Sequence, residues 1–186
     1  MTPGDSIIVM AVGYSILQYT YDSSAVLDVE SPRVEILIQA AIGKLFGSDF
    51  VLVNNSYSTL EKAKVTAVMD ETLTHFKLNR FESYQIEDWN LTNSRRRFLM
   101  VPYLVWTRTI EKFDPGKARN RLSGSTATYK WRDAHAFLFV IDTVDGRVIY
   151  YSYNFWSALL TGEPEQDQIL RMFKRCSAPL LKWKRP

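Results

Sequence analysis

The strongest hydrophobic pattern along the chain lies between residues 95 and 156. Three runs of apolar, aromatic and β-branched residues follow one another there, at 98–110, 126–141 and 147–155. Such residues favour a pleated, half-buried surface. The Asp145-Gly146 pair between the last two runs is preferred in tight β-hairpins. This half of the chain therefore predicts an antiparallel meander of three long strands.

A helix is predicted most clearly over residues 31–47. Ser31 can act as its N-cap, and Pro32 occupies the first helical position, where its missing N–H costs nothing. Apolar residues then recur at spacings of three and four from Val34 to Phe46. Gly47 stands where a left-handed residue commonly ends a helix. These signals predict one helix with a continuous apolar face.

Two further helices have weaker boundaries. The first is predicted over 58–76, where Ser58 and Glu61 have the spacing of a capping box. The second begins at Pro164, buries a face that includes Cys176, and ends near Pro179. The tail at 180–186 is expected to fray.

The remaining segments complete one mixed sheet. Strands are predicted at 7–14 and 50–53, with a short one at 83–86, while 22–30 is polar and predicted to be a loop. Pro102 indicates an edge strand or a bulge. The order is β-α-β-α-β-β-β-α, which predicts an α+β fold with one mixed sheet, helices mainly on one face and a C-terminal antiparallel meander.

Composition adds limits to this picture. The 186 residues, 46% of them hydrophobic, are enough for a single domain over 1–186. A net charge of +3 is too small to indicate a dedicated nucleic-acid protein. The single cysteine excludes an internal disulfide and a tetrathiolate zinc site. No run approaches the ~20 apolar residues of a transmembrane helix, and the start of the chain is interpreted as a first strand, not a signal peptide.

No catalytic set is visible in the sequence. His75 and His135 have no second ligand at a metal spacing, so both are interpreted as structural or surface residues, and neither a metal nor a cofactor is predicted. Cys176 fits an apolar helix face and is interpreted as a buried thiol. An enzyme that uses carboxylates stays open as an alternative, and its candidates are Glu82, Glu87, Asp88 and Asp133.

Two surface features remain as candidates for binding. The first is basic: Arg95, Arg96 and Arg97 precede the meander, and Arg119 and Arg121 lie in a predicted mobile basic loop at 112–125. With neighbouring aromatic residues this group could bind nucleic acid, which is the first alternative function. The second is aromatic. Alternation places Tyr151, Tyr153 and Phe155 on one face of the last strand and Tyr150 and Trp156 towards the other.

Several stretches resemble the CsgG/LpoB-like group of bacterial envelope lipoproteins. They are the apolar first strand at 7–12, the helix-to-strand turn at 45–53, the opening of the second helix at Leu60 and Glu61, and the hairpin at 136–150 with its terminal helix. The resemblance implies a non-enzymatic periplasmic domain that docks to envelope proteins or assembles with its own copies. Two departures are the absence of a lipidation cysteine near the start and the long connection at 79–98.

The sequence thus predicts a protein-binding or assembly domain, with a protein partner or self-assembly as its mode of action. The resemblance implies a periplasmic or outer-membrane-associated location, and a cytoplasmic location is the alternative. Exposed aromatic and arginine side chains are typical of protein interfaces. The predicted partner-binding residues are Arg95, Arg96, Arg97, Arg119, Arg121, Tyr151, Tyr153, Phe155 and Trp156.

Overall fold

The structure is a computed structural model of the chain. It describes residues 6–19, 22–28, 31–47, 50–54, 67, 71, 84–86, 97–110, 129–161 and 164–182. The predicted basic loop at 112–125 and the last four residues lie outside this set.

The described chain forms one mixed sheet and two helices, so the predicted α+β class is confirmed. The helices are α1 (Pro32–Phe46) and α2 (Gln166–Lys182). The strands are β1 (Ser6–Val9), β2 (Val12–Tyr19), β3 (Asp22–Asp28), β4 (Val51–Asn54), β5 (Tyr84–Gln85), β6 (Phe98–Ile110), β7 (Tyr129–Asp142) and β8 (Arg147–Thr161).

Strand β6 lies at the centre of the sheet. The strands follow the order β3-β2-β6-β7-β8-β5, and β1 lies beside the first part of β6 with β4 on its other side. Both β1 and β2 run parallel to β6, whereas β6, β7 and β8 are antiparallel neighbours. The predicted C-terminal meander is therefore confirmed.

The beginning of the chain differs from the prediction. The single strand expected at 7–14 is two strands, β1 and β2, separated by Met10 and Ala11. The loop expected at 22–30 was wrong, because β3 pairs antiparallel with β2, from Ser15 opposite Asp28 to Tyr19 opposite Asp22. An outer strand of this kind is held by backbone pairing, so polar residues do not prevent it from forming.

Pro102 shows how an interior strand accommodates proline. It lies within β6, which has neighbours on both sides, so an edge position was wrong. Pairing of β6 with β1 ends at Met100, and pairing with β2 begins at Tyr103. Pro102 therefore occupies the gap between two ladders, where a missing N–H donor is tolerated.

The hairpin between β7 and β8 has a four-residue loop at 143–146, longer than the tight turn that Asp145-Gly146 predicts. Gly146 has a φ of 71°, in the left-handed region that glycine adopts without strain. Its N–H donates to the Asp142 carbonyl at 2.9 Å, and the Thr143 N–H donates to the Arg97 carbonyl at 2.7 Å. The loop is therefore fastened to the start of β6.

The predicted cap of α1 is confirmed, because the Ser31 Oγ accepts a hydrogen bond from the Val34 N–H at 3.4 Å. The predicted left-handed end was wrong. Gly47 has a φ of −63°, and its N–H continues the helical pattern by donating to the Gly43 carbonyl.

Helix α2 starts two residues after Pro164 and continues through Pro179 to Lys182, so its predicted end near Pro179 was wrong. The physical reason is Leu180, which is buried in the core beyond the proline. Residues 180–182 of the predicted frayed tail thus belong to the helix, and 183–186 lie outside the described residues.

Apolar residues are buried on both faces of the sheet. The first core lies between the sheet and the two described helices, and its largest buried side chains include Phe46, Trp106 and Phe173. The second core lies on the opposite face and contains Ile8, Leu99 and Phe139. Consecutive positions in β1, β6 and β7 are therefore buried on alternate sides, as in sheets covered on both faces.

Both described helices pack on the first core, as predicted for helices mainly on one face. Of the second predicted helix, at 58–76, the structure describes Ala67 and Glu71, both helical. The Glu71 carboxylate accepts a hydrogen bond from the hydroxyl of Tyr84, which packs against the second core.

Candidate functional site

Six ring side chains form a continuous strip along β7 and β8. They stand as three directly opposed cross-strand pairs, His135 with Phe155, Phe137 with Tyr153 and Phe139 with Tyr151. The ring centroids of these pairs are 5.0, 5.0 and 5.3 Å apart. Opposed aromatic pairs stabilise antiparallel strands and hold one another in place. We call this set the aromatic strip.

The aromatic strip runs from the second core towards solvent. Phe139 is fully buried at one end, and Phe137 is nearly so. At the other end His135 is half-buried, while Tyr153 and Phe155 are each 46% exposed. Most large apolar side chains in the described chain are buried, so two adjacent half-exposed rings are a notable surface feature. We call His135, Tyr153 and Phe155 the open end of the strip.

The open end is ordered by stacking and by a polar contact. His135 stacks on Phe137 with an angle of 8° between the ring planes, and Tyr153 stacks on Phe137 at 27°. The His135 Nδ1 lies 3.0 Å from the Tyr153 hydroxyl oxygen, so one of the two groups donates a hydrogen bond to the other. Burial, with a smaller contribution from Cys176, raises the pKa of Tyr153, so its hydroxyl stays protonated at neutral pH.

Tyr151, Tyr153 and Phe155 lie on one face, where alternation along the strand placed them. Trp156 and Tyr150 lie on the other face: Trp156 is half-buried against the first core, and the Tyr150 hydroxyl donates to the Cys176 carbonyl. The predicted aromatic residues are thus divided between the two faces, and Trp156 is not part of the strip.

Arg97 lies far from the open end of the aromatic strip, at the other end of β7. Its Nε donates to the Asp142 Oδ2 at 2.9 Å, and its guanidinium lies 5.3 Å from the centroid of the Phe98 ring. The Asp142 Oδ1 accepts a further bond from the Val144 N–H at 3.1 Å. Asp142 and His135 are seven positions apart in β7, which is about 23 Å along a strand. Arg97 therefore connects the end of β7, next to the hairpin loop, to the start of β6.

The four other predicted arginines, Arg95, Arg96, Arg119 and Arg121, lie outside the described residues, and so does His75. The structure brings Tyr151, Tyr153 and Phe155 together but joins neither Arg97 nor Trp156 to them. Sequence reasoning left out His135 and Phe137 as binding residues. Their signal was the period-two spacing of His135, Phe137 and Phe139, which places all three on one face.

Cys176 has the buried position that its helical spacing predicts. Its side chain is inaccessible to solvent, and its Sγ lies 3.5 Å from the Ala136 carbonyl oxygen. Burial raises the pKa of the thiol to about 12. Because the thiolate is the nucleophilic form, this thiol is unreactive at neutral pH in the folded protein.

Among the carboxylates that the enzyme alternative names, Asp133 is described and is half-buried, whereas Glu82, Glu87 and Asp88 lie outside the described residues. Within the described part of the chain, no cluster of three or more metal-ligating His, Cys, Asp or Glu side chains occurs. The described helices also include none that is long and apolar enough to cross a membrane.

Comparison with known proteins identifies no family. No protein-family model and no curated protein matches the sequence. Among solved structures, the PelC dodecamer from Paraburkholderia phytofirmans is similar over 100% of this chain and 92% of its own, with 10% identity and a TM-score of 0.42.

Two further solved structures have comparable similarity. A hypothetical protein of Chlamydia trachomatis covers 97% of this chain and 95% of its own, with 10% identity and a TM-score of 0.40. A lipoprotein of Neisseria meningitidis covers 97% of this chain and 99% of its own, with 13% identity and a TM-score of 0.36. At these identities and TM-scores the similarity carries no argument about function, so the resemblance to the CsgG/LpoB-like group stays a prediction.

Proposed function

We propose that this protein is a non-enzymatic domain that binds a protein surface through the open end of the aromatic strip. The observation that carries the proposal is the pair of half-exposed rings, Tyr153 and Phe155, held in place by His135 and Phe137. Tyrosine and other aromatic residues dominate the energy of protein interfaces because they bury a large area at low entropic cost.

The order within the strip favours binding. Each exposed ring rests on a ring beneath or beside it, and the Tyr153 hydroxyl is joined to His135. Side chains that are already fixed lose little conformational freedom on association, so more of the contact energy contributes to affinity.

A cell-envelope location, as a lipoprotein-like component, is part of the proposal. It is supported by the sequence resemblance to the CsgG/LpoB-like group described above. The measurement is fractionation of cells that express the natural gene, with the protein followed by immunoblotting. Recovery in the periplasmic or outer-membrane fraction is expected, and recovery only in the cytoplasm would contradict this part of the proposal.

Site-specific photo-crosslinking in the native cell tests the binding function. A benzophenone-bearing phenylalanine analogue replaces Phe155 in one variant and Val144, 80% exposed in the hairpin loop, in the control. We expect a discrete protein adduct from position 155 and none from position 144, with the adduct identified by mass spectrometry. Equal labelling at both positions, or none at 155, would contradict the proposal.

Binding to the identified adduct partner provides the quantitative test. Tyr153→Ser and Phe155→Ser are each expected to raise the Kd by about tenfold or more, because truncating a central aromatic residue of an interface usually costs more than 1 kcal/mol. Ile36→Ser is the matched control, since Ile36 is an exposed apolar residue on α1. It should leave the Kd unchanged.

A further inference from the structure

In the described part of the chain, the outer side of β8 beyond Val148 is an edge of the sheet. The strand order ends with β8 and the two-residue strand β5, which pairs only with Arg147 and Val148. No other strand in the described part of the chain pairs with this side of β8. Residues 152–161 therefore present about 33 Å of strand edge.

This edge lacks the features by which monomeric proteins protect their outer strands. The segment 152–161 reads SYNFWSALLT and contains no charged residue and no proline. Edge strands of monomers usually carry lysine, other charges or proline, which prevent pairing with another chain. The outer strand β3 at the other side of the sheet begins and ends with an aspartate, Asp22 and Asp28. The two edges thus differ in their protection.

We propose that β8 of a second copy of this chain pairs antiparallel with this edge, across a twofold axis at Asn154. The inference rests on the proposed function and names its partner. In such a pairing Tyr153 of the first copy lies opposite Phe155 of the second, and Phe155 of the first copy lies opposite Tyr153 of the second. Residues opposite each other in an antiparallel pair share a face. The four half-exposed rings then form two cross-strand aromatic pairs on one surface.

The other face of the strand is also self-complementary in this register. Asn154 and Trp156 lie on the side of α2, where the Asn154 Nδ2 donates to the Met172 carbonyl at 3.3 Å. The twofold axis places Trp156 opposite Ser152, a large side chain opposite a small one. In this register residues 149–159 of the two copies face each other, and because none of them is charged, no like charges are directly opposed.

The chemistry of this edge favours a protein strand as the partner. Its contacts are backbone N–H and C=O groups and aromatic side chains, which suit the addition of a strand to a sheet. Phosphate groups of nucleic acid or lipid would require cations, and residues 152–161 contain none. A twofold pairing of identical strands is isologous and closes after two copies. The expected assembly is a dimer.

Sedimentation velocity on the purified full chain tests the inference. Over about 1 to 100 μM the wild type should convert from monomer to dimer, as expected for a micromolar Kd. Tyr153→Lys and Phe155→Glu should each weaken the dimer at least about tenfold, since each removes one ring from both aromatic pairs and partly buries an unpaired charge. Val144→Lys is the control that adds the same charge in the hairpin loop and should dimerise like the wild type.

Mixing the two variants tests the register. In a heterodimer of Tyr153→Lys with Phe155→Glu, the new lysine lies opposite the new glutamate, and the second pair remains the native tyrosine and phenylalanine. The mixture should therefore dimerise more strongly than either variant alone, and circular dichroism should show all variants folded. A mixture no stronger than its components, or equal weakening by Val144→Lys, would overturn the proposed pairing.

The outcomes separate this inference from the proposed function. A second copy of the chain as the photo-adduct at position 155, with a concentration-dependent dimer, supports both. A different protein as the adduct, with a wild type that stays monomeric, overturns self-pairing and leaves the proposed function standing. A monomeric wild type without any adduct at position 155 overturns both.

Discussion

At the scale of single residues, Gly13 fixes how closely α1 approaches the sheet. The Ser31 N–H donates to the Gly13 carbonyl at 3.1 Å, and a Cβ on Gly13 would lie 3.0 Å from the Val34 Cγ1. Val34 is fully buried and cannot move away easily. Gly13→Ala should therefore lower the free energy of unfolding by about 1–3 kcal/mol, as overpacking in a tight core does.

Gly43 offers the matched control for this substitution. It lies inside α1, and a Cβ there would meet no atom within 4 Å. Gly43→Ala should raise the free energy of unfolding by about 0.5–1 kcal/mol, because glycine is costly inside a helix. Urea denaturation measures both changes. Opposite signs are expected, and a neutral Gly13→Ala would mean that α1 adjusts its position freely.

Cys176 should make stability depend on pH in the alkaline range. Its pKa is about 12 in the folded protein and 9.0 ordinarily, because burial disfavours the thiolate. The unfolded thiol therefore loses its proton first as the pH rises, which favours unfolding. The contribution of the buried, protonated thiol to the free energy of unfolding is fully present below pH 9 and is lost between pH 9 and about 12.

Chemical labelling checks the state of Cys176 directly. At pH 8 a disulfide reagent should label the folded protein only as fast as the protein unfolds, and the denatured protein at once. Cys176→Ala should reduce the loss of stability at alkaline pH. Burial also raises the pKa of Tyr150, so the part of the loss that is due to Tyr150 should remain. Rapid labelling of the folded protein would show that the thiol is accessible.

At the scale of elements, the last turn of α2 anchors the helix beyond its proline. Leu180 is buried in the first core, whereas Lys182 is exposed. Leu180→Ala should destabilise the protein by about 2–5 kcal/mol, the usual cost of truncating a buried leucine. Lys182→Ala should stay within about 0.5 kcal/mol of the wild type. A small effect of Leu180→Ala in thermal unfolding would favour the frayed tail that the sequence predicts.

The elements that the sequence predicted well are those whose signals are local. Ser31, Pro32 and the apolar spacing define α1, and the run at 98–110 gives both ends of β6. Elements held by distant contacts were harder to predict. The sequence of β3 is polar, and it is a strand because β2 pairs with it. The end of α2 depends on a core that Leu180 reaches only in the folded chain.

In the candidate site, too, the features with local sequence signals were predicted and those that depend on distant contacts were not. Alternation along β8 correctly grouped Tyr151, Tyr153 and Phe155, because the period of two is a local property of a strand. The contribution of His135 depends on the register of β7 against β8, which places it opposite Phe155. The sequence of neither strand alone determines the register between them, so the aromatic strip could not be predicted from the sequence.

At the scale of the whole molecule, burial on both faces makes β6 and β7 the most protected part of the sheet. Each has a strand on both sides, and residues such as Leu99, Met100 and Val140 are buried on alternate faces. Their amides should exchange with deuterium only through global unfolding. The free energy from their exchange should therefore equal that from urea denaturation.

The outer strands β3 and β8 should differ in a way that links stability to assembly. Amides of β3 have a neighbouring strand on one side, so they should exchange at least about 100-fold faster than those of β6 at every protein concentration. Amides at 152–157 of β8 should exchange more slowly as the concentration rises, because a second copy covers that edge. In Tyr153→Lys the concentration dependence should move to at least about tenfold higher concentrations, while β6 stays protected. If the amides of β8 exchanged at the same rate at all protein concentrations, the edge of β8 would not be paired with a second copy. If the amides of β3 exchanged as slowly as those of β6, protection from exchange would not follow the strand order.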